Sequence, residues 1–124
     1  MVASRIITCS TVTPSEIISE RLRRQQLTLP RFTMPQEVVR WMGAIQAQDF
    51  QAALWAVGSR LPSVTMKDIE SSIAAARIVR SWPMRGTLHF VAAEDLRWML
   101  RILAPRVRAS AKGRYRQLEL DDKV

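Results

Sequence analysis

Apolar residues recur at helical spacing through the first 76 positions of the chain. Pro14 stands where the first turn of a helix favours proline, with Thr13 as the expected cap and Glu16 in the first turn. An apolar stripe follows, and this first helix is expected to end before Pro30.

Three more helices are predicted between Pro35 and residue 76. The second and third follow from apolar positions at i, i+3, i+4 and i+7: Val38, Trp41, Met42 and Ile45, then Phe50, Ala53, Leu54 and Val57. Gly58 is expected to end the third helix. Thr65 and Asp68 resemble a capping box for the fourth helix, whose buried face would carry Ile69 and Ile73.

The pattern changes from helical to β-rich at residue 78. Ile78–Trp82 and Thr87–Val91 are short β-rich runs separated by Pro83–Gly86, which predicts a hairpin. A helix is predicted after Ala93, with Leu96, Met99, Leu100 and Leu103 on one face and Pro105 ending or restarting it. The basic stretch that follows, residues 106–116, is either a connecting helix or a disordered tail.

Helices followed by a two-stranded ribbon are the element order of a winged helix-turn-helix. The predicted fold class is therefore mostly α with a small β-hairpin. In that architecture the last helix lies in the major groove and the ribbon reaches the phosphate backbone. The fourth helix offers only Lys67, Ser71 and Ser72 before Arg77, and it has none of the arginine or amide side chains that read bases well. We therefore expect contacts dominated by the DNA backbone.

Positive charge is concentrated in the second part of the chain. The net charge is +8, and residues 77–116 hold ten basic and two acidic side chains, whereas residues 1–76 hold eight and six. Most of the basic residues are arginines, which bind phosphate with a planar fork. This distribution indicates a polyanionic partner, although an arginine-rich composition also results from a GC-rich genome.

The scarcity of cysteine and histidine limits the chemistry. Cys9 and His89 are single residues of their type, so neither a disulfide framework nor a zinc site can be built within the chain, and we expect no metal and no cofactor. One cysteine fits a reducing cytoplasm, and no apolar run is long enough for a membrane span. Residues 1–13 are expected to form a disordered tail, 14–104 the DNA-binding domain, and 105–124 a basic connector.

Three segments carry a resemblance to a known family: Arg21–Leu27 (RLRRQQL), Ala44–Phe50 (AIQAQDF) and Arg80–His89 (RSWPMRGTLH). Together they resemble the N-terminal part of the bacterial AlkZ-like family, the azinomycin-resistance type of DNA glycosylase. Members of that family have tandem winged-helix domains and are much longer than this chain. They remove alkylated purines or unhook interstrand crosslinks. The resemblance implies a truncated N-terminal portion of a monomeric, nucleoid-associated protein that acts on lesion-containing double-stranded DNA.

The family's catalytic signature is Gln, an aliphatic residue, then Gln, which Gln46-Ala47-Gln48 matches with a small central residue. In an extended segment both glutamines would face the same way, whereas on a helix they would diverge. A neutral amide is a poor general base but can hold a water, which suffices when the leaving group is already a cation. The alternative is a polar turn between helices, with Asp49 as the cap of the third helix.

The predicted ribbon carries the candidate DNA-binding residues. Arg80 and Arg85 could bracket a phosphate, with the Thr87 hydroxyl adding a contact and Gly86 allowing close approach of the backbone. His89 alternates with its apolar neighbours, so we expect it to face solvent or DNA, although a lone histidine is more often structural.

The four tryptophans are interpreted mainly as packing residues, with Trp82 as a possible base-stacking exception.

Three functions remain open on the sequence alone. The first is a DNA-repair glycosylase acting through Gln46 and Gln48. The second is a non-enzymatic winged-helix DNA binder such as a transcriptional regulator, and the third is an inert fragment. The glutamine pair favours the first, as does the absence of a dimerisation element.

Overall fold

The chain forms a helical layer packed on a small antiparallel sheet. The computed structural model describes residues 12–120. Its elements are α1 (Pro14–Arg24), α2 (Pro35–Met42), β1 (Ile45–Gln46), α3 (Phe50–Gly58), α4 (Met66–Ala74), β2 (Ile78–Met84), β3 (Thr87–Ala92) and α5 (Ala93–Gln117). The sheet has the order β1-β3-β2. A mostly α chain with a small β-hairpin is thereby confirmed, and a third strand joins the hairpin.

The helix starts follow from local capping. Thr13 and Glu16 form a full capping box at α1, and Thr65 and Asp68 form another at α4, as predicted. At α2, which begins at Pro35, the Glu37 carboxylate reaches back to accept from the Met34 backbone N–H at 3.1 Å. Each box satisfies N–H groups that the first helical turn leaves without partners.

The third helix ends at Gly58, as predicted, but without a left-handed glycine cap. Gly58 is the last residue of α3, and Ser59 after it is right-handed with φ −60°. Instead the Arg60 side chain donates to the Ala56 carbonyl and, at 2.8 Å, to the Gln25 carbonyl that follows α1. Burial lowers the pKa of this guanidinium. Arg60 therefore ties together the ends of two helices that are distant in sequence.

The core lies between the helices and one face of the sheet. Its fully buried side chains include Val38, Leu54, Ile69 and Phe90. The predicted third helix contributes as expected, through Ala53, Leu54 and Val57.

The packing interpretation is wrong for Trp41, Trp55 and Trp98, which are 52%, 72% and 49% exposed. Trp82, the exception, is 59% exposed. At the end of α2, Val39 takes the buried position. Trp41 instead lies over the end of α1, where its indole N–H donates to the Arg24 carbonyl at 3.2 Å.

A single long helix completes the described part. α5 runs through Pro105, so the basic stretch 106–116 is helical, and the boundary predicted at residue 104 falls inside this helix. Of the predicted apolar face only Met99 is buried. Within residues 12–120, no helix combines the length and hydrophobicity needed to cross a membrane.

Candidate active site and nucleic-acid interface

Gln46 lies in a strand at the edge of the sheet, and Gln48 lies in the bend that leads from this strand to α3. Gln46 is in β1, directly opposite His89 of β3. Gln46 and Gln48 are exposed, whereas Ile45 and Ala47 are buried. Ile45 and Gln46 show the alternation of a strand with one face against the core, and Ala47 and Gln48 repeat the buried-exposed pattern as the chain leaves the strand. Both amides are therefore accessible.

The Gln48 amide completes the hydrogen bonding of the sheet edge. Ala47 N–H donates to the Leu88 carbonyl at 2.8 Å, and Leu88 N–H donates to Gln48 Oε1 at 3.0 Å. Because the donor is a backbone N–H, the bonded atom of Gln48 must be the oxygen, which leaves Nε2 with two hydrogens to offer. In the described residues the Gln46 side chain makes no hydrogen bond, so its oxygen and nitrogen are both free.

Asp49 caps the helix that follows. Its carboxylate accepts from the Ala52 N–H at 3.0 Å at the start of α3, as predicted. This cap uses the Asp49 side chain alone, so it leaves the side chains of Gln46 and Gln48 available for other contacts.

Arg80 contacts the backbone of residues 46–48, which we call the glutamine segment. Its Nε donates to the Ala47 carbonyl at 3.0 Å and its Nη2 to the Gln48 carbonyl at 3.1 Å. The guanidinium carbon also lies 5.6 Å from the centre of the Phe50 ring. The structure thus brings Arg80 to the glutamines, whereas the sequence predicted that it would bracket a phosphate with Arg85.

Arg85 and Gly86 form the two-residue tip of the hairpin. Their φ angles are 52° and 67°, both in the left-handed region that a tight hairpin turn of the primed type requires. Glycine adopts this conformation freely, but arginine does so at a cost. Arg85 is exposed, so its charge is presented at the end of the ribbon.

The remaining two ribbon residues do not face outward as expected. The Thr87 hydroxyl is buried and has no hydrogen-bond partner in residues 12–120. His89 is only 3% exposed, and its Nδ1 lies 2.8 Å from the Thr87 carbonyl. The predicted orientation of His89 is wrong because α5 packs against β2 and β3 and helps to cover the face that alternation assigned to solvent.

The basic second half of the chain is an accessible positive surface. All ten basic residues between 77 and 116 are exposed, and none forms a salt bridge within the described range. In α4, Ser72 is buried and the Ser71 hydroxyl donates to the Lys67 carbonyl at 2.8 Å. Few side chains of α4 are therefore left to read bases. The described residues contain no group of three His, Cys, Asp or Glu side chains suited to a metal ion.

Sequence reasoning missed the contacts that shape the glutamine segment. Arg80 and Ala47 are 33 positions apart, and Gln48 and Leu88 are 40 apart. The one available signal was that both partners belong to segments that carry the family resemblance.

Comparison with known proteins identifies the chain's relationship. The family model described as "DNA glycosylase AlkZ-like" matches residues 39–124, which include the glutamine segment, α4, the hairpin and α5. No curated protein and no solved structure matches the chain. Because the matched region covers more than half of the sequence, the chain belongs to the AlkZ-like family of DNA glycosylases.

Proposed function

We propose that this chain carries the glutamine pair and a DNA-binding surface of a monofunctional glycosylase that hydrolyses the N-glycosidic bond of alkylated purines. The substrate class includes N7-alkylguanine, alone or within a crosslink. The observation that carries the proposal is the exposure of Gln46 and Gln48, one in β1 and the other in the bend after it, in a chain of this family.

The chemistry suits a leaving group that is already activated. A guanine alkylated at N7 is cationic, so its departure neutralises it and needs no strong acid. In the proposed reaction Gln46 Oε1 accepts a hydrogen bond from the attacking water, and Gln48 Nε2 is free to donate to the same site. The water oxygen bonds to C1′, the glycosidic electron pair goes to the base nitrogen, and the proton leaves to solvent. Positioning of this kind contributes without a general base.

We further propose a winged-helix architecture for residues 14–104. The order α2, β1, α3, α4, β2, β3 and the strand arrangement β1-β3-β2 support it. In this arrangement α4 faces the major groove and the Arg85-Gly86 tip reaches a backbone. Residues 105–124 then extend the basic surface.

The partner we propose is double-stranded DNA held mainly through phosphates. The exposed basic residues of the hairpin tip and α5 support this, together with the few free polar groups of α4. We place the protein in a bacterial cytoplasm, acting on nucleoid DNA as a monomer, without metal or cofactor.

Base excision tests the assignment. The full-length protein encoded by the gene is incubated in excess with a duplex that carries one N7-alkylguanine, and base release is timed. Gln46→Ala and Gln48→Ala are expected to slow release by roughly 10²-fold or more, the scale of a lost positioned water or transition-state hydrogen bond. DNA affinity should remain nearly intact because neither amide releases counterions.

Two further variants sharpen the result. Gln51→Ala removes a neighbouring exposed glutamine of α3 and should change nothing. Gln48→Glu keeps an acceptor for the Leu88 N–H and should be partly tolerated. Unchanged excision in both alanine variants would leave the pair with a structural role at the sheet edge, and binding without any excision would favour a non-enzymatic DNA binder.

A further inference from the structure

We propose that Arg80 is a positioning residue for the glycosylase reaction, because its guanidinium holds the Ala47 and Gln48 carbonyls and so sets the orientation of the Gln48 amide. The inference rests on the proposed function of the glutamine pair. It assigns to Arg80 a role in the chemical step rather than in phosphate binding.

The pairing of β1 with β3 explains how the orientation arises. Ile45 is opposite Phe90 and Gln46 opposite His89, so Ala47 comes opposite Leu88. In an antiparallel ladder such a pair exchanges two hydrogen bonds, N–H to carbonyl in each direction. Only one is present here, from Ala47 to Leu88.

The second bond is replaced by two side chains. Arg80 Nε occupies the Ala47 carbonyl, and Gln48 Oε1 receives the Leu88 N–H instead. The ladder bond from the Leu88 N–H to the Ala47 carbonyl is therefore missing. The Arg80 side chain binds its acceptor, and the Gln48 side chain binds its donor. With its oxygen engaged in this way, the Gln48 amide is turned so that its N–H₂ group is the free end.

The planar guanidinium of Arg80 binds the Ala47 and Gln48 carbonyls at the same time. Nε and Nη2 lie on one edge of a planar group and contact two consecutive carbonyls, at 3.0 and 3.1 Å. A lysine ammonium is a single point with no such edge. Within residues 12–120 Arg80 has no carboxylate partner, and its other close neighbour is the Phe50 ring. These contacts fix backbone geometry.

The kinetic test compares Arg80→Ala with Arg85→Ala in the full-length protein. Arg80→Ala should lower the single-turnover excision rate constant about 10- to 100-fold, since misplacing a reacting group by about 1 Å costs that much. Its DNA dissociation constant should change far less. Arg85→Ala should raise the DNA dissociation constant more than Arg80→Ala does, and Gln51→Ala is the control that should leave the excision rate constant unchanged. Arg80→Lys should recover little, whereas added guanidinium ion should partly rescue Arg80→Ala but not Gln46→Ala.

A second measurement does not depend on activity. In Arg80→Ala the Leu88 N–H should bond to the Ala47 carbonyl instead of to Gln48 Oε1. NMR should then show a shift of the Gln48 side-chain N–H₂ resonances, and amide hydrogen exchange should show a changed exchange rate of the Leu88 N–H. Arg80→Gln, which is uncharged but polar, serves the same purpose if the alanine variant does not fold.

The outcomes separate the two proposals. If the wild-type protein releases no base but the Gln48 resonances respond to Arg80→Ala, the glycosylase assignment fails while the contact stands. Wild-type excision rates in the folded Arg80 variants, or a loss of DNA affinity as large as that of Arg85→Ala, would overturn the positioning role.

Discussion

Gln46 and Gln48 have the same side chain but not the same contacts. Gln48 has its oxygen bound to a backbone N–H, while Gln46 has no side-chain partner in the described part of the chain. An amide with a free oxygen can accept from water, and one with only its nitrogen free can donate. The two residues therefore differ in the groups they leave free, a difference that spacing alone does not reveal.

Arg85 has a backbone conformation that destabilises the fold, and this residue exposes its charge at the hairpin tip. A non-glycine residue in the left-handed region costs about 1–2 kcal/mol, and asparagine tolerates that region better than arginine. Its φ of 52° at the exposed hairpin tip is such a case. Strain of this kind is often found where a side chain serves binding.

We predict that Arg85→Asn weakens DNA binding without destabilising the fold. The unfolding free energy should stay level or rise by up to about 1 kcal/mol as the strain is relieved. Binding should weaken alike on unrelated duplexes, because a phosphate contact carries no sequence information. Urea denaturation and titration with two unrelated duplexes measure the two effects. Arg85→Lys, which keeps the charge, is the control, and a loss on one duplex alone would favour base reading.

At the scale of elements, helices α1 and α4 begin with hydrogen bonds to the carboxylates of Glu16 and Asp68. The Asp68 carboxylate accepts from the Thr65 hydroxyl at 2.7 Å and from the Thr65 N–H at 2.8 Å. These bonds lower the pKa of Asp68 below its ordinary value of 3.8. The backbone and hydroxyl bonds of Thr13 likewise lower the pKa of Glu16 in α1.

We predict an acid-sensitive contribution from the α4 cap. Because the folded-state pKa of Asp68 is lowered, the contribution is fully present above the unfolded value of 3.8 and is lost as the pH falls through the folded value. The stability difference between wild type and Asp68→Asn should thus be constant near neutral pH and shrink below about pH 4. Urea denaturation at a series of pH values measures it. A difference that stays constant down to pH 2 would mean that the ionised carboxylate contributes nothing.

At the scale of the whole molecule, the charge distribution is the dominant feature. Salt bridges in the described residues are confined to Glu20 with Arg23 and Arg24, and to Arg40 with Glu94. They leave the ten basic residues of 77–116 unneutralised. Exposed basic side chains of this number favour association with a polyanion, and this association is sensitive to ionic strength.

We predict weakly sequence-specific DNA binding with a strong salt dependence. If about five of these residues contact phosphate, the slope of log K against log salt should be about −4 to −5. Titrations of the wild-type protein on one duplex between low and moderate salt measure the slope, and Arg85→Ala should reduce its magnitude by about one. A flat response would remove the basic surface from the interface.

Sequence alone determined the elements whose causes are local. The capping boxes of α1 and α4, the proline at the start of α2, the Asp49 cap and the hairpin all depend on residues within a few positions of each other. The same holds for the apolar spacing that predicted the core residues of α3. Such patterns are readable because capping and helical periodicity act over one turn.

The tertiary structure alone decided how the site is assembled. The pairing of β1, the burial of His89, the exposure of the tryptophans and the contacts of Arg80 all depend on how distant elements pack. Gln48 meets Leu88 across 40 positions and Arg80 meets Ala47 across 33. Periodicity within one element shows which face is apolar, but it does not show which other element will cover the opposite face. For that physical reason the sequence left the glutamine pair either on an extended segment or in a polar turn, and only the fold brought Arg80 to the backbone beside it.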